Sequence, residues 1–199
     1  MSSSTMRDFL EVAERQGRVR RMHQTVDRLW EPACLVKWMF LGLPMEQRFG
    51  LRFDRVAGSP FPLVTGALGA SVESYAQALC VAPADINEHW VRALLAPRAP
   101  VTVDSGRCQE VVRRGADVDL DLLPIPVWTP GRDSAPYITT CVVNRHADSG
   151  VQNMGVYRTR VRDSRSVIVN LAPGRQGHAC ARSYLDAGRP APIAWVIGA

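Results

Sequence analysis

The sequence predicts an α+β protein, with a mixed α/β domain over residues 1–115 and an antiparallel β domain carrying one helix over residues 116–199. Helical and strand periodicities interleave as far as Pro100, whereas period-two segments dominate from Val101 onward. Hydrophobic residues make up 46% of the chain, which is enough to form a core and argues against global disorder.

The charge pattern limits the class of partner. The formal net charge is +5, and Lys37 is the only lysine, so nearly all positive charge is arginine. The arginines are spread along the chain, which is typical of a solvated surface, although guanidinium groups also suit anionic ligands. No basic stripe interleaved with aromatic residues is present, so we expect no nucleic-acid partner. No apolar run reaches the ~18 residues of a spanning helix, so we expect no membrane insertion.

The cysteines predict a reducing environment. There are five, an odd number, at wide spacings and without a C-x-x-C pair. This pattern favours reduced, buried thiols in a cytoplasmic protein over a disulfide framework or a zinc site. The N-terminus is polar and shows no secretory signal, which agrees with a cytoplasmic location.

The first domain begins with a helix that Ser4 or Thr5 caps and Gly17 ends. Residues 18–24 alternate weakly and are assigned to a short strand. An apolar helical face covers residues 29–41, and strands are predicted at 51–56 and 62–69. Two further helices begin at Ser71 and near Asp85 or Asn87, and the second ends before Pro97.

From Val101 onward the chain is predicted to be mostly antiparallel. Strands are expected at 101–103 and 109–112, and two prolines make residues 117–128 extended but exclude a central strand. Residues 137–144 and 153–161 are predicted to form one hairpin, followed by a strand at 167–171, a helix at 178–187 and a strand at 193–197. The last strand runs into Gly198 without a closing element, so we expect a truncated chain or a partner that supplies the remainder.

Asn153 and Arg158 are the first candidates for chemistry. Residues five apart on a strand face opposite sides unless a bulge intervenes, and Gly155 is where a bulge would fit. Gly155 would also let a flat ligand approach the backbone. The Asn153 carbonyl suits a hard cation, and Arg158 suits a substrate carboxylate. From the spacing alone, a hairpin with a turn-side Asn and a surface Arg is the favoured interpretation.

The segment Pro173-Gly174-Arg175-Gln176-Gly177 precedes a predicted helix, and such a loop suits an anion. By itself this signal is weak, because many helices follow a similar turn. His178 at the helix start is interpreted as a cap or surface group, and Cys141 and Cys180 as packed thiols, because no Cys–His pair is legible.

Three segments, in this order and spacing, resemble the UbiD family of decarboxylases. They are Asp-Leu-Asp-Leu-Leu-Pro-Ile-Pro at 119–126, Pro-Tyr-Ile-Thr-Thr at 136–140 and Asn153-x-Gly155-x-Tyr157-Arg158. Residues 6–10 and 53–58 resemble the N-terminal domain of that family. The resemblance therefore extends over essentially the whole chain.

The resemblance implies reversible, non-oxidative decarboxylation of an aromatic or α,β-unsaturated carboxylic acid. It implies prenylated FMN (prFMN) as the cofactor, with Mn²⁺ and often K⁺ at its phosphate. It also implies that residues 116–199 are the incomplete start of a split β-barrel that holds the flavin. A full-length protein would form a homo-oligomer, whereas a naturally short chain would need a partner subunit for the C-terminal part.

The resemblance assigns roles residue by residue. Arg158 matches a catalytic arginine that handles the substrate carboxylate, and Asn153 matches a metal ligand. The positions that match flavin contacts are Thr140, Asn153, Val156, Tyr157, Arg158, Asn170, Leu171, Ala172, Arg175 and Gln176. The family's metal-binding histidine falls near Arg175 and Gln176, so we expect the displaced His178 to serve in its place.

The family's metal-binding Glu and its two catalytic carboxylates have no counterpart in this sequence. We therefore expect the chain to be a fragment or one subunit, inactive by itself. Two alternatives remain open at this point. One is a non-catalytic flavin-binding module, and the other is a structural subunit of a carboxylase or decarboxylase complex.

Overall fold

The computed structural model describes residues 5–198, which form two compact units. The first contains the chain up to Val118 together with Leu122–Pro124, and the second contains Asp119–Asp121 and the chain from Ile125 onward. The domain boundary between residues 115 and 116 stays a prediction. No helix among residues 5–198 has the length and apolar character needed to cross a membrane.

The first unit contains four helices and three strands. In chain order they are α1 (Met6–Arg15), β1 (Val19–Val26), α2 (Glu31–Gly42), β2 (Gly50–Val56), β3 (Leu63–Thr65), α3 (Val72–Leu79) and α4 (Ile86–Leu95). β1 pairs in parallel with β2, and β2 pairs antiparallel with β3. Because the parallel pair needs a crossover, α2 connects its two strands.

Local sequence signals explain how α1 begins and packs. The Thr5 hydroxyl accepts a hydrogen bond from the Asp8 amide at 3.2 Å, and the Asp8 carboxylate accepts one from the Thr5 amide at 3.1 Å. This reciprocal capping box satisfies two backbone donors that a helix start leaves unpaired. The buried face of α1 then packs against β1 and the loop after β3, through Phe9, Leu10, Ala13, Val19 and Ala67.

The second unit contains six strands and one helix. They are β4 (Tyr137–Ile138), β5 (Cys141–Arg145), β6 (Gln152–Val156), β7 (Thr159–Asp163), β8 (Ser166–Val169), α5 (Gln176–Leu185) and β9 (Ile193–Val196). The strands form two three-stranded antiparallel sheets, in the orders β4-β7-β8 and β6-β5-β9. The strands among residues 5–198 do not form a closed barrel. The predicted α+β class is confirmed, and the split barrel stays a prediction.

The predicted strands at 101–103 and 109–112 are wrong. Residues 101–118 carry only short 3-10 turns, at Arg107–Gln109 and Gly115–Asp117. The valines that suggested strands, Val101 and Val111, are 87% and 78% exposed. An alternating valine pattern forms a strand only where a neighbouring strand bonds to it, and no described strand does so here.

Four other boundaries also differ from the predictions. β1 is longer than residues 18–24, because pairing with β2 carries it to Val26. β3 covers only three of the residues predicted at 62–69, because its partner register ends at Thr65. β8 is shifted towards the N-terminus, to Ser166–Val169. α5 begins at Gln176 instead of His178, so Arg175 is its N-cap residue.

Candidate functional site

The predicted hairpin from Tyr137 to Val161 is split between the two sheets of the second unit. Ile138 pairs with Thr159 in one sheet, whereas Cys141 pairs with Val156 in the other. Residues 139–140 and 157–158 therefore interrupt both arms at the same level. The prediction of one continuous hairpin is wrong, because β4–β7 and β5–β6 belong to different sheets. We call this level the sheet junction, comprising residues 139–140 and 157–158.

Asn153 lies in β6 and is buried. The hydroxyl of Tyr157, a residue of the sheet junction, contacts its side chain. Asn153 pairs with Asn144 across β5 and β6, and its Nδ2 donates to Asn144 Oδ1 at 2.9 Å. Asn144 in turn donates from Nδ2 to the Gly177 carbonyl at 2.9 Å. The Asn153 Oδ1 receives only a long contact from the Tyr157 hydroxyl, at 3.5 Å. The amide orientation is thus fixed, and its carbonyl oxygen is weakly engaged.

The Tyr157 ring packs against two glycines, one in β6 and one at the start of α5. A Cβ atom on Gly155 would lie 2.9 Å from Tyr157 Cε2, and one on Gly177 would lie 2.4 Å from its hydroxyl oxygen. The Gly177 amide donates to the Tyr157 hydroxyl at 3.1 Å. The register of β5 with β6 is unbroken, so the bulge that Gly155 could have accommodated does not form. The tyrosine ring fills the space there that was predicted to admit a flat ligand.

The Arg158 side chain contacts a different set of residues from the Asn153 side chain. Its Nη2 donates to the Asp133 carboxylate, and its Cζ lies 4.1 Å from the centroid of the Tyr137 ring. The arginine side chain is 50% exposed, whereas that of Asp133 is only 8% exposed. Sequence reasoning missed Asp133 because the ion pair spans 25 residues.

Thr140 carries an unsatisfied hydroxyl at the sheet junction. Its Oγ1 is buried and has no hydrogen-bond partner among residues 5–198. A buried hydroxyl without a partner costs roughly 1–3 kcal/mol. Natural proteins keep few such groups, and each one calls for an explanation, such as a ligand that supplies the missing partner. Thr65 in β3 carries the same feature, so an unpaired buried hydroxyl alone does not identify a ligand contact.

The loop from Asn170 to Gln176 joins the sheet junction to α5. The Asn170 amide donates to the Arg158 carbonyl at 3.3 Å, and the Arg175 amide donates to the Ala172 carbonyl at 3.3 Å. Arg175 and Gln176 are exposed at the helix start, where the helix dipole favours anions. Leu171 is half-buried beside them. The structure therefore gathers the predicted flavin contacts of this loop at one helix N-terminus.

A metal would find an incomplete set of ligands. Among residues 5–198 no group of three or more His, Cys, Asp or Glu side chains could hold an ion. The two predicted ligands, Asn153 and His178, supply one amide oxygen and one imidazole. Mn²⁺ prefers octahedral coordination by oxygen ligands, so these two residues alone do not make a site. The described residues alone therefore do not form a complete metal site.

The cysteines divide into three classes by exposure. Cys180 is buried, and burial raises the pKa of its thiol, so it is an unreactive packed thiol as predicted. Cys141 is half-buried. Cys34, Cys80 and Cys108 are exposed, so the prediction of five buried thiols is wrong for these three. Wide sequence spacing gave no information about exposure, which depends on tertiary packing.

The first unit has an open cleft of about 720 Å³ that contains none of the predicted site residues. Arg18, Arg20 and Arg48 line it. Each of these arginines already contacts the protein: Arg18 donates to the Glu73 carbonyl at 2.8 Å, Arg48 donates to the Leu43 carbonyl at 3.0 Å, and Arg20 covers Phe49. The volume of this cleft therefore does not identify the sheet junction.

The chain therefore consists of an α/β unit followed by a unit with two open antiparallel sheets. The family model described as the UbiD 3-octaprenyl-4-hydroxybenzoate carboxy-lyase Rift-related domain matches residues 99–199, just over half of the chain. The chain therefore belongs to the UbiD family.

Two solved structures that resemble this chain are those of a UbiD-class enzyme and of a decarboxylase. An evolved dimeric form of the UbiD-class enzyme HmfF from Pelotomaculum thermopropionicum, in complex with prFMN, is 31% identical with a TM-score of 0.87, over 98% of this chain and 44% of that one. The apo 3,4-dihydroxybenzoic acid decarboxylase of Enterobacter cloacae is 25% identical with a TM-score of 0.84, over 98% and 42%. The chain thus spans less than half the length of these relatives.

A more distant structure shares the fold alone. Vanillic acid decarboxylase from Sedimentibacter hydroxybenzoicus, in its closed form, is 23% identical with a TM-score of 0.85, over 100% of this chain and 43% of that one. Both units of the chain thus recur together in these proteins.

Proposed function

We propose that this chain supplies the flavin-facing and carboxylate-facing part of a UbiD-like decarboxylase. The reaction would be the reversible, non-oxidative decarboxylation of an aromatic or α,β-unsaturated carboxylic acid with prFMN. The chain would act as a fragment or one subunit of the complete enzyme, either in a homo-oligomer or with a partner subunit. The single observation that carries the proposal is the match of residues 99–199 to the UbiD carboxy-lyase family model.

Two lines of support favour flavin as the ligand. HmfF has been solved with prFMN and with FMN, and this chain is 31% identical to it. The proposed contact residues converge on the sheet junction and the start of α5. Backbone amides and Arg175 at a helix N-terminus are suited to a phosphate. Thr140 and Tyr157 lie at the junction, Val156 directly precedes it, and all three are suited to the ring system.

Each proposed residue has a distinct task. Arg158 binds the substrate carboxylate, because a half-exposed guanidinium can form two parallel hydrogen bonds to it. Asn153 presents its carbonyl oxygen to a cation at the flavin phosphate, with His178 as a second ligand, and the remaining ligands come from outside this chain. Tyr157 fixes the start of α5 through its hydroxyl. When bound, the prenylated flavin supplies the electron sink for the loss of carbon dioxide.

A complete reaction also needs an acid that protonates the product carbon. Asp133 is the acidic residue that contacts Arg158 in the described part of the chain, and its carboxylate is already paired. We therefore expect the purified 199-residue chain to show no turnover with prFMN, and turnover to require residues from the remainder of the protein or from a partner. Decarboxylation by the chain alone would contradict this expectation.

One observation favours a second candidate. Because the described residues provide neither a complete metal site nor an unpaired acid beside Arg158, a non-catalytic flavin-binding module is also consistent with the chain. Such a module, or a structural subunit of a carboxylase complex, would bind FMN without any spectral response to a carboxylic acid. An enzyme would show such a response once the remaining residues are supplied.

The test replaces the unpartnered hydroxyl with a methyl group. Thr140→Val should weaken FMN binding to the purified chain, measured by quenching of flavin fluorescence, because the flavin loses its partner. The same change should stabilise the ligand-free chain by about 1–2 kcal/mol, because it removes an unsatisfied buried group. Thr65→Val is the matched control, since Thr65 in β3 carries another buried, unpartnered hydroxyl.

The control should stabilise the ligand-free chain and leave FMN binding unchanged. If Thr140→Val and Thr65→Val change FMN affinity to the same extent, the Thr140 hydroxyl does not contact the flavin. If wild-type chain binds no FMN at all, the proposal that the sheet junction holds the flavin is refuted.

A further inference from the structure

The Asp133 carboxylate is held in place by its own turn. Its Oδ2 accepts a hydrogen bond from the Thr129 amide at 2.9 Å, and the Asp133 amide donates to the Thr129 carbonyl at 2.8 Å. The side chain is only 8% exposed. A buried carboxylate that keeps one oxygen on the backbone has a fixed orientation, so the direction in which Oδ1 meets Arg158 is also fixed.

The aromatic ring below Arg158 is equally fixed. The Tyr137 amide donates to the Pro126 carbonyl at 3.0 Å, and the Trp128 indole donates to the Tyr137 carbonyl at 2.8 Å. Tyr137 also pairs with Arg160 in the β4–β7 ladder. The segment from Pro126 to Tyr137 is therefore closed at its base by hydrogen bonds, and it presents both the carboxylate and the ring to one guanidinium.

We propose that Asp133 is a positioning residue for Arg158, and that it sets the orientation in which the guanidinium receives the substrate carboxylate. This inference rests on the proposed function, in which Arg158 binds that carboxylate. Within residues 5–198, only the Nη2 of Arg158 has a hydrogen-bond partner. The ring covers one face, and Asp133 accepts from one of the two N–H groups of Nη2. The other N–H of Nη2 and the adjacent nitrogen on its side then form a paired donor edge that is left for a ligand.

The Asp133 carboxylate also has an effect that opposes the binding of a substrate carboxylate. A negative charge beside Arg158 repels an incoming carboxylate, so Asp133 would weaken binding if repulsion outweighed the ordering of the side chain. Immobilising a long side chain at a binding site is itself costly, and Asp133 removes that cost beforehand. The sign of the change in affinity on neutralising Asp133 separates the two effects.

The experiment compares Asp133→Asn with wild type in the intact 199-residue chain. Hindered rotation of the Arg158 guanidinium is measured by ¹⁵N NMR of the arginine side chains, and the Arg158 signals are assigned from an Arg158→Lys sample. Sodium benzoate is then titrated as the carboxylate probe. Asp186→Asn is the matched control, because it neutralises the surface carboxylate that pairs with Arg182 on α5.

We expect Asp133→Asn to release the rotation of the guanidinium and to weaken benzoate binding by about three- to tenfold, which is the cost of immobilising one long side chain. Asp133→Glu, which keeps the charge, should recover part of the ordering and of the affinity. Asp186→Asn should change neither quantity. If Asp133→Asn disturbs the fold, Asp133→Ser provides a second variant, because its hydroxyl can still accept from the Thr129 amide.

Two results would overturn the proposal. One is unchanged rotation of the Arg158 guanidinium in Asp133→Asn, and the other is benzoate binding that becomes equal or tighter. A failure of the proposed function looks different. In that case Asp133→Asn still releases the guanidinium, but benzoate shifts no Arg158 signal in wild type. The positioning of Arg158 by Asp133 would then stand, without a carboxylate ligand.

Discussion

Replacing Gly177 by alanine should destabilise the second unit, although glycine-to-alanine changes in helices usually stabilise. Gly177 lies in the first turn of α5, where the replacement would ordinarily gain up to about 1 kcal/mol. Here the added Cβ would lie 2.4 Å from the Tyr157 hydroxyl oxygen and 2.6 Å from its Cζ. The ring, which also packs against Gly155, must move.

The expected magnitude combines three effects. Overpacking costs about 1–3 kcal/mol. Movement of the ring also breaks the hydrogen bond from the Gly177 amide to the Tyr157 hydroxyl, now 3.1 Å, at a cost of about 1 kcal/mol. The helix propensity of alanine offsets up to about 1 kcal/mol of this. The net expectation is a destabilisation of about 1–3 kcal/mol.

The assay is hydrogen–deuterium exchange of α5 and β6 peptides, which reports the local free energy of unfolding. Gly42→Ala at the end of α2 is the matched control, because its Cβ would lie 4.0 Å from Trp38 Nε1, an ordinary contact. In a Tyr157→Leu background, Gly177→Ala should become neutral or stabilising. A stabilising Gly177→Ala in the wild-type background would refute the packing of Tyr157 against α5.

Two further predictions concern titrating groups. The hydrogen bond from the Ser166 hydroxyl, and next the one from the Arg165 amide, lower the pKa of Asp163. The ionised Asp163 carboxylate therefore stabilises the folded chain at pH values above its ordinary pKa, and this stabilisation is lost as the pH falls through the lowered pKa. Ser166→Ala should move the pKa of Asp163 upward in an NMR titration of its carboxyl carbon, and an unchanged pKa would contradict this cause. Separately, a thiol reagent at pH 8 should modify Cys34 and Cys108 rapidly and Cys180 only after unfolding, because burial raises the pKa of the Cys180 thiol. Rapid modification of Cys180 in the folded chain, located by peptide mass spectrometry, would show that its burial is wrong.

Features encoded by neighbouring residues were predictable from the sequence. A cap was predicted at Ser4 or Thr5, and Thr5 is the N-cap of α1, with Asp8 three residues later completing a capping box. The strand at β2 was predicted within one residue for the same reason, because its alternation is strong and its apolar side chains are buried. Local propensity and burial agree at both places.

Features that depend on distant partners were not predictable. β-branched residues run through 137–144, and only pairing with β7 in one sheet and with β6 and β9 in the other breaks this run at residues 139–140. The same limit applies to Asp133. Nothing near it in sequence indicates that it meets Arg158, because that contact requires the whole second unit to fold.

The central claim is that the sheet junction and the start of α5 hold a flavin. The most direct measurement is a titration of the ¹⁵N-labelled chain with FMN, followed through its backbone amide signals. The account predicts saturable shifts confined to residues 139–140, 153–158 and 170–178, with one FMN bound per chain. The absence of any shift, or shifts confined to the first unit around the cleft of Arg18 and Arg20, would contradict it.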